Sequence, residues 1–150
     1  MTGASRVAVV VGNPQPASRT LKAAAYVATE LSGHEPDLVV DLATTGPGLL
    51  DWADPDVDDL VSQVAAADLV VVATPTYKAT YSGLLKLFLA RFAPQHGTVL
   101  SEIGATVPVR GLYVLDSAHA DPTAYDAWLA TARPVVSALL TARLTTGVHA

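Results

Sequence analysis

The stretch Arg6–Thr20, RVAVVVGNPQPASRT, decides the fold. Its first half is a nearly unbroken β-branched run with no alternation of apolar and polar residues, the pattern of a strand covered on both faces in a parallel sheet. Its second half breaks at Gly12 and Asn13 into a short loop with two prolines, then presents Ser18, Arg19 and Thr20 ahead of RTLKAAAYVATELSG. In that segment Leu21, Ala24, Ala25, Ala28 and Leu31 recur at helical spacing, and Gly33 predicts the stop. Buried strand, polar loop and amphipathic helix in this order open a β-α-β unit.

The unit repeats. Asp37–Ala43, DLVVDLA, predicts a second buried strand, followed by the Gly- and Pro-rich loop TTGPGLLDWA. Asp54 and Pro55 predict the N-cap and first turn of a helix through DVDDLVSQVAAA, whose acidic start suits the helix dipole. Asp68–Pro75, DLVVVATP, predicts the third strand, and SGLLKLFLARFA the third helix. Ala105–Asp116, ATVPVRGLYVLD, predicts a fourth strand with a polar end. PTAYDAWLATARPVVSALLTAR predicts a long closing helix that Pro134 bends or divides, and the tail LTTGVHA is expected to fray. The expected fold class is α/β, an open parallel sheet with helices on both faces in three layers. The chain shows no repeats, low-complexity tracts or linkers, so residues 1–150 are expected to form one domain.

Size and composition agree. A chain of 150 residues buries roughly 70% of its unfolded surface and needs no disulfide, and this one has no cysteine. Hydrophobic residues make up 51% and charged residues 15%, which suits buried sheet rather than disorder. The start MTGASRVAVV holds too short an apolar run for a signal peptide or a membrane span, so a soluble cytoplasmic protein is expected, with no membrane association. A formal charge of -5 repels a phosphate backbone, which argues against nucleic acid as a partner while leaving room for one anionic ligand at a locally basic spot.

In open α/β sheets ligands bind beyond the carboxyl ends of the strands, near the point where strand order reverses. The first loop there is GNPQPASRT. Free amides at the helix start, the hydroxyls of Ser18 and Thr20, and the guanidinium of Arg19 suit a phosphate. The loop lacks the lysine of a P-loop and the three glycines of a dinucleotide fingerprint, so it suits a terminal monophosphate. The bland alternative is that Ser18 only caps the helix and Arg19 is solvated. The second loop, TPTYKATYSG (Thr74–Gly83), combines two tyrosines, a lysine and several hydroxyls. It suits a planar, partly polar ligand that a tyrosine stacks on or lines at its edge and whose rim the main chain held by Pro75 reads, with Lys78 placed to favour developing negative charge on a ring or to attract a substrate phosphate. Here the alternative is that Tyr77 and Tyr81 pack on the next helix and Lys78 is solvated.

With these two loops in order, the sequence resembles the NADPH-dependent FMN reductases of flavodoxin-like fold, particularly the flavin reductases that supply two-component alkanesulfonate monooxygenases. GNPQPASRT matches the family's Gly-Ser-Pro…Ser-Arg-Ser/Thr loop with Asn13 in place of serine, and ATPTYKATYSGLLK matches the second loop almost verbatim. The resemblance runs over about residues 6 to 93 and resumes over SEIGATVPVRGLYVLD. It implies FMN as cofactor, its phosphate held by Asn13, Ser18, Arg19 and Thr20 and its isoalloxazine bordered by Pro75, Thr76, Tyr77, Lys78 and Ala79. It also implies NADPH or NADH as hydride donor, a flavin-dependent monooxygenase as a partner, and a homodimer or homotetramer. No side chain is expected to act as a general acid or base. Two other functions fit the same loops: an NAD(P)H:quinone or azo reductase with retained FMN, and a flavodoxin-type electron carrier, against which Arg19 counts because carrier phosphate loops are typically uncharged.

One departure stands out. After the third helix the family continues with a fourth strand and a Gly-rich loop, whereas here ARFAPQHG passes straight into TVLSEIGATVP. The expected fourth of five family strands is missing around Gly97 and Thr98, through a true deletion or, as we expect, a break in the chain. A direct bond there sets consecutive Cα atoms about 3.8 Å apart.

Other polar residues carry less. His34, His96, His119 and His149 are scattered, and the run Asp51, Asp54, Asp56, Asp58 and Asp59 lacks the glycine and glutamate of a calcium loop, so no metal site is expected. The acidic run reads as a solvated helix start. DSAHADPTAYD holds no nucleophile motif, and Trp52 and Trp128 read as packing or interface residues.

Overall fold

In the computed structural model, which describes residues 4–92 and 106–146, the opening run forms the centre of a parallel sheet. Strand β1 (Val7–Val11) lies between β2 (Leu38–Asp41) and β3 (Leu69–Ala73), in the order β2-β1-β3. Every residue of β1 is buried. Its side chains alternate between two layers, as a strand's must. Val7, Val9 and Val11 meet Ala24 and Ala28 of helix α1 (Arg19–Ser32), whose small residues let the helix lie close. Ala8 and Val10 join the opposite core, with Val57 and Val64 of α2 (Pro55–Ala65) and Leu85 and Phe88 of α3 (Gly83–Leu89).

The element ends follow from local chemistry. Ser18 caps α1 by accepting from Leu21 N at 3.2 Å, and Gly33 closes it with a positive φ of 83°. Asp54 caps α2 by accepting from Asp56 N and Val57 N at 2.9 and 3.0 Å, with Pro55 as first residue. Asp68 and Asp37, each just ahead of a neighbouring strand, take the amides at the entrance of β1: Arg6 N donates to Asp68 Oδ2 at 2.9 Å and Val7 N to Asp37 Oδ2 at 2.8 Å.

Four expectations change. β2 is a sheet edge: only Val40 is buried and Val39 is 42% exposed, and past Asp41 the chain leaves the sheet in a 3-10 turn, Leu42–Thr44. The fourth strand expected over Ala105–Asp116 does not form a ladder in its described part. Leu112 and Val114 pack on Val27, Tyr125 and Leu129 while Tyr113 and Leu115 are exposed, so the segment alternates like a strand. No neighbour pairs with it among the described residues, and alternation without a neighbour makes no sheet. Pro134 does not divide the closing helix α4 (Thr123–Thr146). It lies on an exposed side, as does Ala130, whose carbonyl it leaves without an intrahelical donor, so water can serve that group. The helix also continues to Thr146, into the tail expected to fray. Gly97 and Thr98, where a deletion or a chain break was in question, lie outside the described residues.

No helix among the described residues is long and apolar enough to cross a membrane.

Candidate functional site

The order β2-β1-β3 sends the chain from β1 to one side and brings it back on the other, so the reversal falls between β1 and β3. Both loops singled out in the sequence leave the sheet there. Their roots are joined: Gly12 N donates to Ala73 O at 2.8 Å, extending the β1–β3 pairing by one bond. Gly12 also lies under the first turn of α3, where a Cβ in its place would stand 2.7 Å from Leu85 Cβ and 2.8 Å from Ser82 Oγ. Only glycine permits that approach.

The first loop is held by its own polar groups. Asn13 Oδ1 accepts from Gln15 N at 2.9 Å in an Asx turn, and Asn13 Nδ2 donates to Thr20 Oγ1 at 2.9 Å, drawing the two ends of the loop together. Ala17 takes a left-handed conformation, φ 51°, unusual for a residue with a Cβ, and its amide donates to Asp41 Oδ2 at 2.9 Å. Ser18 is buried and spends its hydroxyl on the α1 cap. Arg19 is exposed and ion-paired with Asp116, at the start of the 3-10 turn Asp116–Ala118 before α4.

The second loop is pinned at its base and strained at its tip. Thr74 Oγ1 donates to Pro75 O and accepts from Ser82 N, each at 3.0 Å, while Ser82 Oγ caps α3 by accepting from Leu85 N. Tyr77 and Thr80 exchange two backbone bonds of 3.0 Å around Lys78 and Ala79, whose φ angles are 48° and 63°. Two successive positive φ values define the hairpin turn that strongly prefers Asn-Gly, and here Lys-Ala occupies it. Thr76, Tyr77, Lys78 and Ala79 are exposed and Pro75 half-buried. The tyrosines divide: Tyr81 packs against the α3 core under the ammonium of Lys86, 4.9 Å from the ring centre, whereas Tyr77 stands out at 50% exposure.

The structure thus joins Asn13 with Thr20, places Ser18 and Arg19 at the mouth of α1, and sets the Pro75–Ala79 tip above the adjoining strand end. Asp41, Thr74, Ser82 and Asp116 were missed in the sequence as parts of this arrangement. Asp41 and Thr74 stand at strand ends and Asp116 at the polar end of the expected fourth strand, a placement that signals all three; what the sequence hides is the partner of Asp116, because that contact spans 97 positions. Away from the site, Arg91 fastens the acidic run: its buried guanidinium donates to Asp51 O and Asp58 Oδ1, each at 2.8 Å, and lies over Trp52. Trp128 packs beside Tyr125 and donates to Arg110 O at 2.7 Å.

A parallel sheet layered by helices, with two polar loops rooted at its switch point, defines a flavodoxin-like α/β protein. The model of the NADPH-dependent FMN reductase family matches residues 5–120, and the chain belongs to that family. It is 33% identical over 88 residues to an FMN-dependent NADPH-azoreductase of Staphylococcus haemolyticus (strain JCSC1435), a match that covers 52% of this chain and 47% of that protein. The chain thus spans about half the length of this curated relative. Its fold is similar to the apo crystal structure of NADH:FMN oxidoreductase (EMOB), with a TM-score of 0.71 and 21% identity over 92% of this chain and 89% of that one.

Proposed function

We propose that the chain is an NAD(P)H-dependent FMN reductase. The observation that carries this is the joint at Gly12, which roots a phosphate-type loop and a ring-type loop side by side at the switch point of a chain of this family. The residues fit the cofactor. The first amides of α1 have no intrahelical acceptor, Arg19 supplies a cation beside them, and Asn13 and Thr20 hold the loop's polar ends together. In this reading Asn13, Ser18, Arg19 and Thr20 hold the FMN phosphate, Ser18 by fixing the helix mouth, and Pro75, Thr76, Tyr77, Lys78 and Ala79 border the isoalloxazine. Lys78 favours negative charge at the ring. FMN, when bound, supplies the hydride chemistry, and the chain's part is to hold, orient and shield.

The same reading takes NADPH or NADH as donor, a partner monooxygenase as the consumer of reduced flavin, a cytoplasmic location and a homodimer or homotetramer. The exposed Val135 and Leu139 on α4 are in keeping with assembly. The azoreductase relative favours a second reading, in which FMN is retained and electrons pass to an azo or quinone substrate. Titration with FMN, FAD and riboflavin, then NADPH and NADH turnover, tests cofactor and reaction together. Bleaching of FMN by NADPH is expected; FMN binding without nicotinamide oxidation would point to an electron carrier instead. Arg19→Ala is expected to weaken FMN about tenfold while leaving riboflavin nearly unchanged, because only FMN offers a phosphate. Equal losses for both would refute the role of Arg19.

A further inference from the structure

We infer that Asp116 is a resident counter-ion that occupies Arg19 in place of a ligand's phosphate and so lowers the affinity of the site for phosphate-bearing flavin. The inference rests on the flavin reading above. Arg19 is the one cation of residues 12–20, and its Nη1 is paired with Asp116 Oδ2. The two side chains are 60% and 75% exposed, so packing does not lock the pair and its opening costs little. Among the described residues the Asp116 carboxylate has no other partner; the residue's remaining polar contact is its carbonyl, 2.9 Å from His119 Nδ1.

A second carboxylate at the same loop shows what a purely structural role looks like. Asp41 Oδ2 accepts from Ala17 N and its Oδ1 accepts from Ala43 N at 3.3 Å, so both oxygens are engaged by backbone and neither reaches Arg19. Among the described residues Asp116 binds no amide. It meets the guanidinium alone, through one oxygen and one nitrogen. A phosphate approaching Arg19 either displaces Asp116 or comes to rest beside a like charge, and both weaken binding. Were Asp116 instead orienting Arg19 toward the phosphate, its removal would weaken FMN; the two roles therefore differ in sign.

Fluorescence titration of FMN and of riboflavin into the full chain, Asp116→Asn, Arg19→Ala and the double variant decides. Asp116→Asn is expected to bind FMN roughly two- to fivefold more tightly, with riboflavin unchanged. The gain should shrink at high salt and vanish in the Arg19→Ala background. Unchanged or weaker FMN binding by Asp116→Asn, or an equal gain for riboflavin, would overturn the inference while leaving the Arg19 effect standing. If the unaltered chain binds neither flavin, or Arg19→Ala treats both alike, the flavin reading falls and takes this inference with it.

Discussion

Lys78 and Ala79 hold a conformation that neither residue prefers. Side chains with a Cβ pay of order 1 kcal/mol or more for a left-handed backbone, and this turn asks it of two neighbours. Replacing them together, Lys78→Asn with Ala79→Gly, is expected to raise unfolding stability by about 1 kcal/mol, read as a higher denaturant midpoint with unchanged slope. Through the proposed contact of Lys78 with the flavin ring, the same variant is expected to lose flavin turnover while gaining stability. A midpoint that falls would show that the turn is not strained. At this scale the Ser18 cap was legible, because a serine just ahead of a helical run is chemically pointed, whereas the pairing of Arg19 with Asp116 was not. Nor was the strain at Lys78 and Ala79, because nothing in TYKAT announces a hairpin turn. Only the paired bonds between Tyr77 and Thr80 reveal it.

Among the elements, those whose ends carry their own caps were the most legible. α1 begins at Ser18 and stops at Gly33, and α2 begins at Asp54, all as their residue types demand. The segment around Leu112–Leu115 was not, because its alternation is real while the neighbour that would make it a strand is a matter of tertiary context. The entry to α4 rests on one carboxylate. Asp121 Oδ1 accepts from Thr123 Oγ1 at 2.7 Å and from Thr123 N at 2.9 Å. The Thr123 hydroxyl first, then its amide, hold the Asp121 pKa below the ordinary carboxylate value of 3.8. A depressed folded value means that the stabilisation is fully present above the unfolded pKa and is lost as pH falls through the folded one. The start of α4 is therefore expected to loosen in acid below about pH 4. Amide exchange of Thr123 and Ala124 followed against pH will report this, and Asp121→Asn should abolish that acid dependence. An unaltered acid limb in the variant would remove Asp121 from the account.

At the scale of the whole molecule, β1 is the shared wall of two cores, and Gly12 extends it to where the layers meet the loops. Gly12→Ala is expected to cost roughly 1–3 kcal/mol, because the new methyl must push both Leu85 Cβ and Ser82 Oγ. Denaturant unfolding will measure the loss, and FMN titration of the folded variant should show weaker binding as α3 lifts. A variant of unaltered stability would mean that the contact yields freely. The buried, unalternating valines of β1 made this central wall readable from sequence; the edge position of β2 was hidden because Val39 and Val40 are the same residue on two unlike faces. The crowding over Gly12 has one more consequence. With the root of one loop wedged beneath the helix that follows the other, the mouth of α1 and the Tyr77–Thr80 tip spring from adjoining roots. On the proposed reading the protein measures its ligand: like a fixed caliper, it accepts flavins by the span between phosphate and ring, and a longer or shorter ribityl chain would fail the gauge even with every polar group intact.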